Sequence, residues 1–79
     1  MLLFGRYGDR AGWRERTLDL PPVTLGALIG RLDAEHPELD GELRARWTLV
    51  TRNCEQIRGE DTVLQADDEV AFMPPMSGG

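Results

Sequence analysis

The sequence predicts an α+β domain in which a mixed β-sheet packs on one main helix. Three observations carry that prediction. A single apolar stripe at helical spacing, Leu25, Leu28, Ile29 and Leu32, follows Thr24 and stops short of Pro37. Short apolar or alternating runs lie on both sides of it, which reads as strands. The chain has 79 residues, enough for one domain with one modest core.

The elements follow in chain order. Met1 to Tyr7 is apolar with little polar interruption and reads as a first strand. Gly8-Asp9-Arg10-Ala11-Gly12 has turn or loop composition. Arg14 to Leu20 alternates, with Leu18 and Leu20 on one face and Thr17 and Asp19 on the other, as in a half-buried strand. Pro21-Pro22 ends it, because proline cannot donate to a ladder. Thr24 is a good helix N-cap, and Val23 and Leu28 occupy the positions of a hydrophobic staple. The helix should end near His36, since Pro37 disfavours helical geometry in the residue before it. Gly26 and Gly30 lie on one side of it, where they would admit a close neighbour.

Asp40 to Arg46 suits a short helical turn and Trp47 to Arg52 a third strand, with a turn at Asn53. Gln56-Ile57 and Val63-Leu64 are brief further strand points. Ala66-Asp67-Asp68 is a turn, and Glu69 to Met73 is the last strand. This order matches the β-grasp, or ubiquitin-like, arrangement. The expected organisation is a β-grasp domain over residues 1–74 and a flexible C-terminal Gly-Gly tail over 75–79.

Composition excludes several function classes. The net charge is −5, so the basic face that phosphate binding requires is not expected, and nucleic acid is not an expected partner. An acidic surface suits a basic protein partner. All nine basic residues are arginine, so no side-chain amine can accept an isopeptide bond. No stretch approaches a membrane span, and one cysteine fits a reducing compartment, so a cytoplasmic location is expected. No phosphate loop or metal-ligand cluster is present in the sequence, so no metal site and no bound cofactor are expected.

The terminus carries the chemistry. Pro74-Pro75 cannot extend a ladder and favours a stiff, extended path away from the body. From Pro75 to Gly79 the tail reaches roughly 16 Å when extended. Gly78 and Gly79 have no Cβ and can thread a narrow channel. A carboxylate is a poor electrophile, so the Gly79 carboxylate needs activation, for example as an acyl-adenylate, and that must come from another protein. Phe72 and Met73 point to opposite faces of the last strand; one belongs to the core and the other can anchor a partner. With Pro74, Pro75, Met76, Ser77 and Gly78 they form the candidate partner-binding set. Cys54, His36 and the acidic run Asp67-Asp68-Glu69 read as surface features: a thiol with no basic sequence neighbour, a helix-end residue and a solvated turn.

Leu3-Phe4-Gly5-Arg6, Thr51-Arg52-Asn53 and the close Asp68-Glu69-Val70-Ala71-Phe72-Met73-Pro74-Pro75-Met76-Ser77-Gly78-Gly79 resemble the small subunit of molybdopterin synthase, across essentially the whole chain. Asp67 stands where those relatives usually carry glycine, in a turn that aspartate tolerates. The resemblance implies a sulfur carrier with no independent activity. A ubiquitin-activating-like adenylyltransferase would adenylate Gly79 with ATP and Mg, and a sulfur donor protein would supply the sulfur of a thiocarboxylate. The tail would then enter the large subunit of molybdopterin synthase and pass sulfur to cyclic pyranopterin monophosphate, in a heterotetramer if that subunit dimerises. Sulfur carriage for thiamine, cysteine or tRNA thiolation, a ubiquitin-like modifier attached through Gly79, and a plain β-grasp adaptor are the alternatives.

Overall fold

The computed structural model describes residues 1–17 and 22–75. The elements are β1 (Leu2–Leu3), α1 (Arg6–Ala11), β2 (Val23–Thr24), α2 (Leu25–Glu35), β3 (Leu49–Arg52), β4 (Glu55–Ile57), β5 (Val63–Leu64) and β6 (Val70–Met73). Two 3₁₀ turns, Pro37–Leu39 and Glu42–Arg44, link α2 to β3.

The main sheet has the order β1-β6-β3-β4, with β1 parallel to β6 and the other pairs antiparallel. A second small sheet joins β2 to β5. This is the β-grasp arrangement. The register places Leu3, Phe72, Val50 and Ile57 side by side on one face. The helix stripe Leu25, Leu28, Ile29 and Leu32 shares one core cluster with that row, together with Tyr7, Leu39, Leu43, Leu64 and Val70. No polar or charged residue among those described is buried in it.

The main helix begins and ends where its sequence signals place it. The Thr24 side chain accepts a hydrogen bond from the Ala27 N–H at 3.1 Å, and His36 is the C-cap before Pro37. Val23 and Leu28 both reach the core, but Val23 also pairs with Leu64, so the staple residue is a strand residue too.

Three expectations change at the N-terminus. The strand over Met1 to Tyr7 is confined to Leu2–Leu3, and the predicted loop at Gly8-Gly12 is mostly α1. Burial decides this: Tyr7 is fully buried, and holding it there fixes a turn of helix against β1. Gly8 permits the approach, since a Cβ on it would lie 2.8 Å from the Leu3 carbonyl oxygen. Of the strand predicted over Arg14 to Leu20, the described part is an antiparallel strip beside β1. It is held by Leu3 N–H to Arg14 O (2.9 Å) and Arg16 N–H to Met1 O (3.0 Å). Residues 18–21 lie outside the described residues.

Further along, the helical turn predicted over Asp40 to Arg46 is the 3₁₀ turn Glu42–Arg44, and the strand predicted from Trp47 starts at Leu49. Asp67 is not among the residues of positive φ, so its turn does not need the left-handed geometry that glycine supplies.

Candidate functional site at the root of the tail

The last strand is a central strand. β6 lies between β1 and β3, with Phe72 level with Leu3 on one side and Val50 on the other. Phe72 is completely buried. Its side chain therefore belongs to the core and is withdrawn from the partner-binding set. Met73, one residue on, pairs with Leu49 on the opposite face and is half-buried.

That opposite face carries no helix among the described residues. Leu2, Ala71 and Thr51 share it with Met73 and Leu49, and Phe4 continues the phase of Leu2. Phe4 is 45% exposed and Leu49 36%. With Met73 they make an apolar patch around the point where the chain leaves the sheet. Sequence reasoning missed Phe4 and Leu49 as surface residues. The signal was present in two apolar runs, Leu2-Leu3-Phe4 and Leu49-Val50, whose members cannot all face one core in a strand.

The exit itself is pinned. The Phe4 N–H donates to Phe72 O at 3.0 Å, and Pro74 is half-buried against Gly5. Pro75 is exposed, and neither proline has an N–H to extend the ladder. Met76, Ser77, Gly78 and Gly79, which complete the predicted set, lie outside the described residues.

Beside the exit, Arg6 donates to Glu42 Oε1 from Nε (3.3 Å) and Nη2 (2.7 Å), and Arg10 pairs with the other carboxylate oxygen. The Arg6 hydrogen bond holds the Glu42 carboxyl below its ordinary range, and the same bond raises Arg6. These pairs tie α1 to the 3₁₀ turn at Glu42–Arg44.

The remaining candidates lie elsewhere. Cys54 is exposed in the β3–β4 turn, at the far end of β3 from Leu49. At ~3.3 Å per residue, β3 alone separates the thiol from the tail root by about 10 Å. His36 is not a plain surface residue: its Nε2 accepts from Trp13 Nε1 at 3.0 Å, and its Nδ1 lies 3.2 Å from Glu38. It joins the helix end to the loop after α1. In the acidic run, Asp68 accepts from the Gln65 N–H (2.8 Å) and Asn53 Nδ2 (3.0 Å), which hold its carboxyl down in that order. Asn53 also exchanges hydrogen bonds with the Glu69 backbone, so these residues lock two turns together. Among the described residues, no three potential metal ligands gather at one point, and no helix is long and apolar enough to cross a membrane.

The comparison with known families decides the assignment. The model of the ThiS family matches residues 1–79. The chain belongs to the ThiS family. Among its relatives is the molybdopterin synthase sulfur carrier subunit of Chlamydomonas reinhardtii, 34% identical over 81 aligned residues that span all of this chain and 95% of that protein. The Dictyostelium discoideum protein of the same name is 33% identical, covering 100% and 93%. In structure, this ThiS-family chain resembles SAMP1 from Haloferax volcanii, with a TM-score of 0.81, 29% identity and coverage of 99% and 94%. A second crystal structure, of H. volcanii small archaeal modifier protein 1, gives 0.77, 31% identity and coverage of 95% and 93%.

Proposed function

We propose that this chain is the sulfur carrier subunit of a molybdopterin synthase, working through a thiocarboxylate on Gly79. The observation that carries the reading is full-length similarity to two carriers of that name, in a chain ending Pro-Pro-Met-Ser-Gly-Gly. A tail rooted in a central strand, beside an apolar patch of Phe4, Leu49 and Met73, supports it.

In this mechanism the domain over 1–74 is the handle and 75–79 the arm. An adenylyltransferase docks on the patch and takes the Gly79 carboxylate into its site. A carboxylate oxygen attacks the α-phosphorus of ATP, supplied with Mg by that partner, and pyrophosphate leaves. A persulfide on a donor protein then attacks the acyl carbon through its outer sulfur, and AMP departs with the bonding pair. A thiol of the donor cleaves the resulting acyl disulfide, forming a disulfide with the inner sulfur and releasing the thiocarboxylate. This chain binds no cofactor of its own. The thiocarboxylate enters the large synthase subunit, where its sulfur attacks a side-chain carbon of the pterin and displaces an oxygen substituent from it. Water then hydrolyses the acyl–sulfur bond, leaving the sulfur on the pterin and restoring the carboxylate. The patch and the Pro74-Pro75-Met76 root supply the docking that both encounters need. The chain works in the cytoplasm, where ATP is available.

A second reading is favoured by the likeness to SAMP1 and to the H. volcanii small archaeal modifier protein 1. In that case Gly79 would be joined to amines of other proteins. The chain has no lysine, so it could not extend itself into polymers through side chains.

One experiment separates the two. The protein is incubated with ATP, an adenylyltransferase and a sulfur donor, then with a large synthase subunit and cyclic pyranopterin monophosphate. A carrier gains the mass of one sulfur in exchange for one oxygen, and sulfurated pterin appears. Deleting Gly79 abolishes both and leaves the fold intact. A ladder of conjugates that survives denaturation, with no pterin product, would assign the modifier role.

A further inference from the structure

The free edge of the main sheet is β4, which has a neighbour on one side only. It is joined to β3 by the two-residue turn Asn53-Cys54, both at positive φ (51° and 70°). Such a turn makes Arg52 and Glu55 the hydrogen-bonded closing pair. Ladder bonds alternate in an antiparallel pair, so the N–H and C=O of Gln56 point away from β3. Among the described residues nothing is paired with them.

Beside this edge, on the helix side of the sheet, lies a groove of about 310 Å³. It is lined by aliphatic Leu25, Ile29, Val50 and Ile57 and by Arg46 and Arg58, and Glu60 in its wall is already paired with Arg44. The pairing of arginines across the molecule gives these two their meaning. Arg6, Arg10, Arg14, Arg16, Arg31 and Arg44 each have a carboxylate within 4 Å. Arg52 donates to the Val63 carbonyl. Arg46 and Arg58 have neither kind of partner among the described residues, although the chain carries 14 acidic residues. Two uncompensated guanidinium groups beside an aliphatic lining define a site for an anion with an apolar companion.

We propose that this edge is a second docking site, which takes an extended peptide segment of a partner protein with an aliphatic residue flanked at i−2 and i+2 by acidic ones. An added strand satisfies the outward groups of Gln56. Its alternate side chains fall on the groove side together, the aliphatic one onto the aliphatic lining and the acids against Arg46 and Arg58. A small free anion would use the guanidinium groups but neither the aliphatic lining nor the strand edge. The site lies around the sheet edge from the Phe4, Leu49 and Met73 patch, so it can be filled while the tail is engaged. The inference does not rest on the sulfur-carrier reading.

The probe is a short fluorescein-labelled peptide centred on Glu-Thr-Ile-Thr-Glu, titrated into the full chain. Expected results are amide NMR shifts centred on Gln56 and Arg58 and slowed exchange of the Gln56 amide. Arg46→Glu and Arg58→Glu should each weaken binding about tenfold or more. Gln56→Pro, which removes the outward N–H and spares the β3 ladder, should weaken it too. A peptide with lysine in place of both glutamates should not bind. Shifts centred on Leu49 and Met73, equal binding of the lysine peptide, the same shifts from inorganic phosphate alone, or no binding would each overturn the proposal.

Discussion

Gly5 lies under Pro74: a Cβ placed on Gly5 would stand 3.0 Å from the Pro74 Cγ. Gly5 also has φ 55° and ψ −136°, a region that residues with a Cβ rarely enter. The turn after the first strand and the exit from the last one therefore share a single space. Gly5→Ala should cost about 1–3 kcal/mol from the backbone alone and should displace Pro74. Urea denaturation measures the first effect. Loss of binding to a large synthase subunit, at temperatures where the variant is folded, measures the second.

The two glycines of the main helix should respond differently to alanine. A Cβ on Gly30 meets nothing within 4 Å, whereas one on Gly26 would lie 3.2 Å from Glu60 Cβ and 3.3 Å from the Glu60 carbonyl oxygen. Gly30→Ala should stabilise by about 0.5–1 kcal/mol, the helix-propensity gain. Gly26→Ala should forfeit that gain and end at least about 1 kcal/mol less stable than Gly30→Ala. Equal thermal midpoints for the two variants would contradict the close packing at Gly26.

Cys54 occupies a left-handed position in a two-residue hairpin turn, where glycine is preferred. Cys54→Gly should stabilise by about 1 kcal/mol. Because the thiol lies at the far end of β3 from the tail, the variant should retain sulfur transfer. A stable variant that has lost transfer would give the thiol a chemical role.

Acid should loosen the contact between α1 and the Glu42–Arg44 turn. The Glu42 carboxyl is lowered from its ordinary value of 4.5, first by the Arg6 hydrogen bond. Glu35 is lowered by Arg16 and then Arg31, and Asp68 by the Gln65 N–H and then Asn53. Groups with depressed values contribute stability that is complete above the unfolded value and lost as pH falls through the folded one. The urea midpoint should therefore fall as the pH drops below about 4.5, the ordinary glutamate value. Glu42→Gln should begin with a lower midpoint near neutrality and fall less with acid, so that the two curves converge.

Much of this fold is legible in the sequence because its signals are local. Thr24, the stripe from Leu25 to Leu32 and Pro37 bracket α2 without help from the rest of the chain. The last strand and the Asn53 turn are equally plain. What hides α1 is that Gly8, Asp9 and Gly12 argue for a loop, and only the burial of Tyr7 overrules them. The two-residue strand β2 is masked because Thr24 has a second task as the helix cap. At the tail root, alternation shows that Phe72 and Met73 face opposite ways. Which of them is inside depends on Leu3 and Val50, in strands distant along the chain. The convergence of Arg46 and Arg58 on one groove likewise depends on how β4 lies beside α2.

The placing of β6 between β1 and β3 also determines how the molecule carries a load. A pull on the chain beyond Pro75 acts along the axis of a strand held on both flanks, parallel on one side and antiparallel on the other. The pull meets both ladders in shear, so their hydrogen bonds resist together instead of parting one after another. A tail attached to an edge strand would peel that strand away. Here tension applied beyond Pro75 passes into the centre of the sheet, and the domain can be drawn by that end without coming undone.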